Sequence, residues 1–428
     1  MIRRPPRSTP KPSSAASDVY KRQPYVVSQF KIILKMKHKI AILGSTGSIG
    51  KNLLEIIKKN RTQFDIVLLT TNQNYLDLLK QVKTFRVKNI IVKDEKSFQI
   101  IKKKKLKGVN IFNDYTSFNR IFKKKIDYVM SSISGMEGLL PTLKIIKYTK
   151  KIAIANKESI ICAWNLIQSE LLQNKTKFIP VDSEHFSLWY ALQNISQSEI
   201  EKVYLTASGG PLLKISKPNL KNFKLSQALK HPTWSMGNKI SIDSCTMMNK
   251  VFEVIEAKHL FNIPYEKISI LTHPNSYIHA IIKFKNGLIK IIAHDTTMKI
   301  PIFNSIKSNN QISIKTNKLN LKKLNYLNLN EVNYKFFPVV NILKKLPKTI
   351  SLYETVIVTV NDYLVGLFLN KKISYKQLQD SIIKIIKKKV FTKYKKLKPK
   401  KFEDIIFVKN NVSSVVAKTI NKQYAFKI

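Results

Sequence analysis

The sequence KIAILGSTGSIG at residues 39–50 joins a short apolar run to a glycine-rich turn. Residues 39–43 predict a β-strand, and the apolar spacing over residues 53–57 predicts a helix after the turn. A second strand is predicted at residues 65–70. Strand, glycine turn, helix and strand form the first unit of a dinucleotide-binding fold, in which glycines let a pyrophosphate approach the helix N-terminus. An ordinary tight turn without a ligand is the alternative interpretation.

The residues after the second strand, TTNQN at 70–74, indicate which dinucleotide is bound. They include no acid that would hold the free ribose 2′-hydroxyl of NAD. They also include no Arg or Lys for the 2′-phosphate of NADP. NADP held by neutral hydrogen bonds is therefore the better prediction.

The chain has 428 residues and is strongly basic, with 76 Lys and Arg against 26 Asp and Glu and a formal net charge of +50. Nucleic-acid or membrane-surface binding would explain this charge. The basic residues are spread along the whole chain without a nucleic-acid-binding motif, so a solvated lysine coat is favoured. No apolar run reaches the roughly 18 residues of a membrane span. We therefore predict no specific nucleic-acid partner and no membrane partner.

Cysteine content indicates the redox compartment. Cys162 and Cys245 are the only cysteines, which excludes a disulfide scaffold and a cysteine-rich zinc site. A reducing compartment fits this usage, and we predict a cytoplasmic protein of bacterial or endosymbiont type.

Residues 1–35 differ in composition from the rest of the chain. They are rich in basic residues, Pro and Ser, and Asp18 is their only acid. Met36 then opens a segment, MKHKIAILG, that is typical of a natural start. We predict that residues 1–35 are a non-native, disordered extension outside the fold. A transit peptide for a plastid-type organelle is the alternative.

Three acidic residues could share a divalent ion. Asp182 and Glu184 lie two residues apart, and on an extended segment their side chains would face the same way. Glu253 lies on a helix predicted from about Thr246 to Phe261. Oxygen ligands without a Cys/His cluster favour Mg²⁺ or Mn²⁺ over zinc. A pair of solvated surface acids is the alternative.

Two further segments predict an anion site and a mobile loop. Residues 205–211, LTASGGP, are predicted to end a strand in a glycine turn. The hydroxyl and N–H groups of this turn could bind an anion, together with the start of the helix that bears Glu253. Asp243-Ser244 is predicted to begin that helix. Residues 231–239, HPTWSMGNK, show neither helical nor strand periodicity, and we predict a flexible flap whose Trp234 closes over a ligand. A buried structural Trp is the alternative. The side chains predicted to bind a phosphate are Ser208, Ser244, Asn249 and Lys250.

These blocks, in this order, resemble the 1-deoxy-D-xylulose 5-phosphate reductoisomerase family of non-mevalonate isoprenoid biosynthesis. The resemblance extends from Met36 to roughly Asn421. It implies an α/β fold with an N-terminal Rossmann-like dinucleotide-binding domain, an α+β catalytic domain and a C-terminal helical domain. It also implies a homodimer. The strongest blocks are residues 44–50, 134–142 (SGMEGLLPT), 153–160 (AIANKESI), 180–185, 205–211 and 231–257.

The resemblance also implies roles for individual residues. A divalent metal, Mg²⁺ or Mn²⁺ with Co²⁺ as an alternative, would be held by Asp182, Glu184 and Glu253. NADPH would be bound by Thr46, Gly47, Ser48, Ile49, Asn74, Asn156, Glu158 and Gly237. The phosphorylated sugar substrate would be bound by Ser183, Ser208, His231, Trp234, Ser244, Asn249 and Lys250. Lys157, Glu184 and His231 would act in catalysis, and Met236 would belong to the flap with Trp234.

The implied reaction converts 1-deoxy-D-xylulose 5-phosphate to 2-C-methyl-D-erythritol 4-phosphate. The metal would chelate the ketone and hydroxyl oxygens and act as a Lewis acid while the carbon skeleton is cleaved and rejoined by a retro-aldol and aldol route. NADPH would then deliver hydride to the aldehyde formed. Binding energy from the remote phosphate would hold the flap closed and exclude water.

Four positions depart from the family pattern. Asn72 and Gln73 replace a Gly and a basic residue, which removes an expected contact to the 2′-phosphate. Val251 replaces the Gly after Asn-Lys; a β-branched residue is tolerated inside a helix, but its side chain could crowd the substrate phosphate. Asp362 replaces a Glu, so its side chain is one methylene shorter.

The predicted organisation is a non-native extension at 1–35, an NADPH-binding domain at 36–185, a catalytic domain at 186–307, a linker at 308–336 and a helical domain at 337–428. Strands are predicted within residues 268–292, and His273, His279 and His294 are predicted to be core or interface residues rather than ligands. Two other function classes stay open. One is a different NADP-dependent dehydrogenase acting on a phosphorylated sugar or hydroxy acid without rearrangement, and the other is a nucleic-acid-binding protein built on a decayed enzyme.

Overall fold

A computed structural model describes residues 37–214, 223–234, 236–307 and 312–424. The predicted extension at 1–35 lies outside these residues, as do Ser235 of the predicted flap and residues 308–311 of the predicted linker. Among the described residues, no helix combines the length and apolarity that a membrane crossing requires.

The first sheet has seven parallel strands in the order β4-β3-β2-β1-β5-β6-β7. Its strands are β1 (His38–Leu43), β2 (Phe64–Thr71), β3 (Asn89–Val92), β4 (Asn110–Phe112), β5 (Tyr128–Ser131), β6 (Lys151–Ile154) and β7 (Lys177–Pro180). The strand order changes direction between β1 and β5. In open α/β sheets, ligands bind in the crevice outside the carboxyl ends of the strands at such a switch point.

Helices connect these strands and cover both faces of the sheet, as parallel connections require. They are α1 (Ser48–Lys59), α2 (Tyr75–Phe85), α3 (Glu95–Lys103), α4 (Phe118–Ile121), α5 (Leu139–Ile145) and α6 (Lys157–Gln173). The face of α1 with Leu53 and Ile57 is buried with Ile40 and Ile42 of β1 in one apolar cluster. The predicted strand, glycine turn, helix and strand are therefore confirmed, and the fold is Rossmann-like.

The second sheet has the order β11-β10-β8-β9-β12 and is mostly antiparallel, with β8 and β9 parallel. Its strands are β8 (Ile200–Ala207), β9 (Ile268–Thr272), β10 (Ile278–Phe284), β11 (Ile289–Ala293) and β12 (Asn330–Glu331). The helices between residues 183 and 325 are α7 (Ser183–Ala191), α8 (Leu225–Ala228), α9 (Asn238–Thr246), α10 (Met248–Phe261), α11 (Lys299–Ile306) and α12 (Leu321–Asn325). Of these, α11 packs on α1 of the first sheet. The strands predicted within residues 268–292 are confirmed.

Three long helices form the C-terminal part of the described chain: α13 (Tyr353–Leu369), α14 (Tyr375–Ile386) and α15 (Phe402–Tyr424). Most of α13 is buried, because α6, α9, α14 and α15 pack around it. This burial explains why residues 353–369 contain so few charged residues. The predicted helical character of the region after residue 337 is confirmed.

Several local predictions were wrong. Asp182 is not on an extended segment, because it is the N-cap of α7, and Glu184 lies in the first turn of that helix. Asp243-Ser244 does not begin a helix but lies inside α9, which ends where Met247 adopts a left-handed conformation (φ 65°). The helix with Glu253 therefore begins at Met248 rather than Thr246.

Two other predicted segments contain more regular structure than expected. The predicted flap at 231–239 runs into α9, which begins at Asn238. The predicted linker at 308–336 contains α12 and the short strand β12, which pairs with β9. His273 and His279 are buried, as expected for core residues, and the ring of His279 stacks on that of His294 with centroids 3.8 Å apart.

Candidate active site

A cleft of about 420 Å³ brings together residues from both sheets and the flap. Its walls include the predicted metal ligands, all the predicted substrate residues, Lys157 and Met236. From the predicted cofactor residues, Gly47, Ser48, Ile49, Glu158 and Gly237 line it. The structure therefore gathers residues from position 47 to position 298 into one cavity.

Three carboxylates converge at the centre of the cleft. Asp182, Glu184 and Glu253 each offer an oxygen atom, and these atoms lie within 4.8 Å of one another. The N-terminus of α7 places the first two, and α10 places Glu253 against them. An all-oxygen donor set of this size, with Glu253 buried and the other two acids partly exposed to the cleft, fits a hard divalent cation such as Mg²⁺ or Mn²⁺.

Two lysines, the largely buried Lys157 and the buried Lys250, contact the same carboxylates. The Lys157 Nζ atom lies 3.1 Å from Asp182 and 3.2 Å from Glu253, and it donates to Asn249 Oδ1 at 2.6 Å. The Lys250 Nζ atom donates to Glu184 at 2.8 Å and also pairs with Glu253. Burial of each ammonium is therefore compensated by adjacent anionic groups.

The carboxylates differ in how readily they ionise. Burial opposes ionisation of Asp182, but Lys157 and His185 hold its pKa well below the ordinary value. Burial, with the nearby charge of Glu253, raises the pKa of Glu184 to about 7. Neighbouring acids pushed to different pKa values are characteristic of functional sites.

His185 is a buried residue that the sequence analysis missed. One ring nitrogen lies 3.2 Å from Asp182 Oδ1 and 3.4 Å from Glu256, and the other lies 2.8 Å from the Glu253 carbonyl oxygen. Burial lowers its pKa, but the carboxylates of Glu256 and Asp182 outweigh this and raise the pKa to about 9. His185 thus orients one carboxylate and the backbone of another. Its position three residues after Asp182 was the only available signal.

His231 links the flap to the turn after β8. The N–H groups of Trp234 and Thr233 donate to its Nδ1 atom at 3.0 Å and 3.3 Å. With Nδ1 accepting, Nε2 carries the proton of the neutral ring and donates to Ser208 Oγ at 2.9 Å. Burial lowers the pKa of His231 to about 4, so the ring is neutral near pH 7. The Trp234 ring meets His279 edge-on at 6.2 Å.

The glycine turn after β1 leaves space at the switch point. A Cβ atom on Gly44 would lie 2.8 Å from the carbonyl oxygen of Ser132, at the end of β5, and one on Gly50 would lie 2.6 Å from Gly44. Only glycine therefore allows this close approach of α1 to β1 and β5. Gly47 is the N-cap of α1, whose first N–H groups lie at the cleft.

Three predicted cofactor residues do not line the cleft. The hydroxyl of Thr46 lies 2.7 Å from that of Thr71. Asn74 caps α2 by accepting from the Asp77 N–H at 3.2 Å, and Asn156 caps α6 by accepting from the Ser159 N–H at 2.6 Å. Their side chains fix the local backbone around the cleft.

Val251 does not line the cleft, contrary to the prediction that it crowds a phosphate. It is fully buried in the core cluster of the second sheet and the C-terminal helices. Ser208, Ser244, Asn249 and Lys250 do line the cleft, so the polar groups predicted to bind an anion share one cavity.

The chain is similar to known proteins in both sequence and structure. The chain matches three family models: 1-deoxy-D-xylulose 5-phosphate reductoisomerase at residues 40–164, the C-terminal domain of that enzyme at 178–261, and DXP reductoisomerase C-terminal domain at 295–415. It is 54% identical over 379 residues to the 1-deoxy-D-xylulose 5-phosphate reductoisomerase of Pelagibacter ubique, a match covering 88% of this chain and 97% of the relative.

Two solved structures have the same fold. One is 1-deoxy-D-xylulose 5-phosphate reductoisomerase from Zymomonas mobilis in complex with NADPH, with a TM-score of 0.79, 29% identity, and coverage of 90% of this chain and 99% of that chain. The other is DOX-P reductoisomerase in complex with NADPH, fosmidomycin and magnesium, with a TM-score of 0.82, 27% identity, and the same coverage of 90% and 99%. The chain therefore belongs to the 1-deoxy-D-xylulose 5-phosphate reductoisomerase family.

Proposed function

We propose that this chain catalyses the metal-dependent rearrangement and NADPH-dependent reduction of 1-deoxy-D-xylulose 5-phosphate to 2-C-methyl-D-erythritol 4-phosphate, in non-mevalonate isopentenyl diphosphate biosynthesis. The observation that supports this most strongly is the single cleft in which Asp182, Glu184 and Glu253 converge beside Lys157 and the turn at Gly47. A simple dehydrogenase would need no such carboxylate cluster.

The dinucleotide would be NADPH, bound along the turn after β1. Gly47, Ser48 and Ile49 line the cleft at the N-terminus of α1, where N–H groups and the helix dipole favour a phosphate. Asn72 and Gln73 follow β2 without an acid that would repel a 2′-phosphate. Thr46, Asn74, Asn156, Glu158 and Gly237 complete the proposed cofactor contacts.

The divalent metal would be held by Asp182, Glu184 and Glu253, with Mg²⁺ or Mn²⁺ favoured by the oxygen donors and Co²⁺ as an alternative. When bound, the metal supplies Lewis-acid polarisation of substrate oxygens, and NADPH supplies hydride. His185 would position Asp182 and the backbone of Glu253 for this role, as partners of metal ligands commonly do.

The chain's own side chains would bind and orient the substrate. Ser208, Ser244, Asn249 and Lys250 offer hydroxyl, amide and ammonium donors to the cleft, which suits a phosphate. Lys157 contacts the central carboxylates and lines the same cleft as the proposed cofactor turn at Gly47, so it would bind the reacting end of the substrate. Ser183 lines the cleft next to Asp182.

The flap would exclude water from the reaction. Trp234 and Met236 line the cleft, and His231 holds the flap to Ser208 through its neutral, Nε2-protonated ring. A neutral His231 at this place could hydrogen-bond a substrate oxygen without adding charge. Closure by the flap would strengthen every polar interaction inside the cleft.

Asp182→Asn tests the proposal against a dehydrogenase that performs no rearrangement. We expect purified wild-type protein with Mg²⁺ and 1-deoxy-D-xylulose 5-phosphate to oxidise NADPH, followed by absorbance at the nicotinamide band. We expect Asp182→Asn to lower the rate at least about 100-fold. Removing a residue that only hydrogen-bonds to a metal ligand already costs up to about 100-fold, and Asp182 is a proposed ligand itself. Asp380→Asn, in an exposed pair with Lys376, is the matched control. Near-normal reduction by Asp182→Asn would favour the simple dehydrogenase.

We also propose that the protein is a homodimer that joins through the free edge of the second sheet. β11 is the edge strand, and its neighbourhood exposes Leu288, Ile289 and Ile291. An exposed apolar edge strand favours pairing with another strand, and a second copy offers the same edge. We also propose domain boundaries near residues 185, 307 and 336. A cytoplasmic location is proposed as well, and it fits the two free, buried cysteines.

A further inference from the structure

One lysine that lines the cleft, Lys239, has three carboxylates around it. The Lys239 Nζ atom lies 2.7 Å from Glu158, 3.0 Å from Asp243 and 3.0 Å from Asp362. Asn361 completes the cluster by donating to the second oxygen of Asp243 at 2.7 Å. The Asp243 side chain is 3% exposed and the Glu158 side chain 11% exposed. The cluster is therefore largely desolvated.

The four charged residues come from three separate helices. Lys239 and Asp243 are on α9, one turn apart, whereas Glu158 is the second residue of α6 and Asp362 lies within α13. The ammonium group of Lys239 therefore contacts carboxylates on α6, which belongs to the first sheet, on α9, which follows the flap, and on α13 of the C-terminal helices.

The location of Lys239 is electrostatically unfavourable without its partners. It is the second residue of α9, where the helix dipole disfavours a cation. Its side chain is only 30% exposed, so water compensates little of this cost. The three carboxylates offset it, and removing the lysine would leave three acids facing one another. Burying the ammonium group of Lys239 is unfavourable unless the carboxylates from α6 and α13 lie next to it. The ion cluster therefore favours one relative position of α6, α9 and α13.

The cluster adjoins both moving and reacting parts of the cleft. Lys239 lies two residues after Gly237, in the first turn of α9, so it anchors the C-terminal end of the flap that carries Trp234 and Met236. Glu158 follows Lys157, whose ammonium contacts the central carboxylates. A shift of α9 relative to α6 would therefore change the position of the flap relative to Lys157.

We propose that Lys239 is a positioning residue that holds the C-terminal end of the flap against α6 and α13, so that flap closure brings Trp234 and Met236 into register with Lys157. This rests on the proposed function, because it takes the cleft as the site where NADPH and substrate bind. The flap is then held in two ways: by hydrogen bonds of neutral His231 at its start, and by the ion cluster at its end.

The test is Lys239→Met, measured for kcat and KM together with NADPH binding by fluorescence. Residues at a hinge change kcat and KM together, and we expect kcat/KM to fall about 100-fold, as small misplacements of reacting groups do. Lys283→Met, which removes an exposed pair with Glu201, is the matched control and should change neither constant. A lysine that served stability alone would leave KM unchanged in the folded fraction, and that result would overturn the proposal.

Variants of Asp362 keep the proposal testable if Lys239→Met folds poorly. Asp362→Asn should raise KM by about 10-fold, on the scale of one broken charged contact. Asp362→Glu retains the charge and should restore most of the activity. In a Lys239→Met/Asp362→Asn double variant, the second change should add little. Equal effects of Asn and Glu at this position, or fully additive losses, would contradict the proposal.

NADPH binding by the wild-type protein distinguishes failure of the proposed function from failure of the positioning role of Lys239. If the wild-type protein does not bind NADPH, the proposed function fails. If it binds NADPH and turns over substrate while both Lys239→Met and Asp362→Asn retain normal kcat and KM, only the positioning role fails.

Discussion

Gly44→Ala is expected to destabilise the protein and to weaken binding at the turn after β1. Gly44 has φ +80°, and a Cβ atom there would lie 2.8 Å from Ser132 O and 3.1 Å from Ile133 N. These neighbours are backbone atoms at the end of β5, so they cannot rotate away. The substitution therefore combines an unfavourable backbone conformation with an overlap at the switch point of the sheet.

The magnitude follows from these two contributions. A left-handed conformation costs a residue with a Cβ about 1–2 kcal/mol, and forced overlap in a packed region about 1–3 kcal/mol, so Gly44→Ala should lose about 2–5 kcal/mol in the free energy of unfolding. Gly287 provides a matched control, because its φ is +87° and a Cβ atom there would contact nothing within 4 Å. Gly287→Ala should lose only about 1–2 kcal/mol.

Urea denaturation followed by circular dichroism would measure both losses, and NADPH titration would measure binding. We expect Gly44→Ala to be the less stable variant and to bind NADPH more weakly than wild type, with binding by Gly287→Ala unchanged. Equal destabilisation of the two variants would refute the steric argument. Unchanged NADPH affinity in Gly44→Ala would refute the proposed location of the cofactor.

Three further outcomes are expected. The pKa of His231 is lowered from 6.5 to about 4 by burial, so its contribution to stability is present above pH 6.5 and is lost as the pH falls towards 4. When the pH falls from 6.5 to 4, the free energy of unfolding of His231→Gln should therefore decrease less than that of the wild type, as measured by urea denaturation. An identical decrease in both proteins would contradict a neutral His231 ring. Val251→Gly should cost about 2–4 kcal/mol of unfolding free energy by opening a core cavity inside a helix, with KM for the substrate unchanged; a lower KM would mean that Val251 does crowd the phosphate. Ile289→Asp should convert a dimer to a monomer in size-exclusion chromatography with light scattering. Leu172→Asp, which changes a side chain 73% exposed on α6, should leave the dimer intact. A dimer that survives Ile289→Asp would exclude the β11 edge as the interface.

The sequence predicted the central residues more reliably than their local geometry. Asp182 and Glu184 were expected to share a face of an extended segment, but they converge because one caps α7 and the other lies in its first turn. Either geometry places residues two apart near each other, so the pairing was predictable although the conformation was not. The left-handed Met247, which separates α9 from α10, has no clear sequence signal, because glycine or asparagine is usual in that conformation.

Residues whose partners are distant in sequence could not be predicted. The i, i+4 spacing of Lys239 and Asp243 on α9 was a usable signal for one ion pair. The contacts of Lys239 with Glu158 and Asp362 depend on how α6, α9 and α13 pack, and this packing is not encoded in any local pattern. His185 was missed for the same reason, since its partners on α10 are about 70 residues away in the chain.

The most direct test is to identify the product that the purified protein forms from 1-deoxy-D-xylulose 5-phosphate, NADPH and Mg²⁺, by NMR and mass spectrometry. We expect one 2-C-methyl-D-erythritol 4-phosphate for each NADPH oxidised, and no product after chelation of the metal until Mg²⁺ or Mn²⁺ is restored. A reduced sugar phosphate with an unchanged carbon skeleton, or turnover that persists in the chelator, would contradict the account.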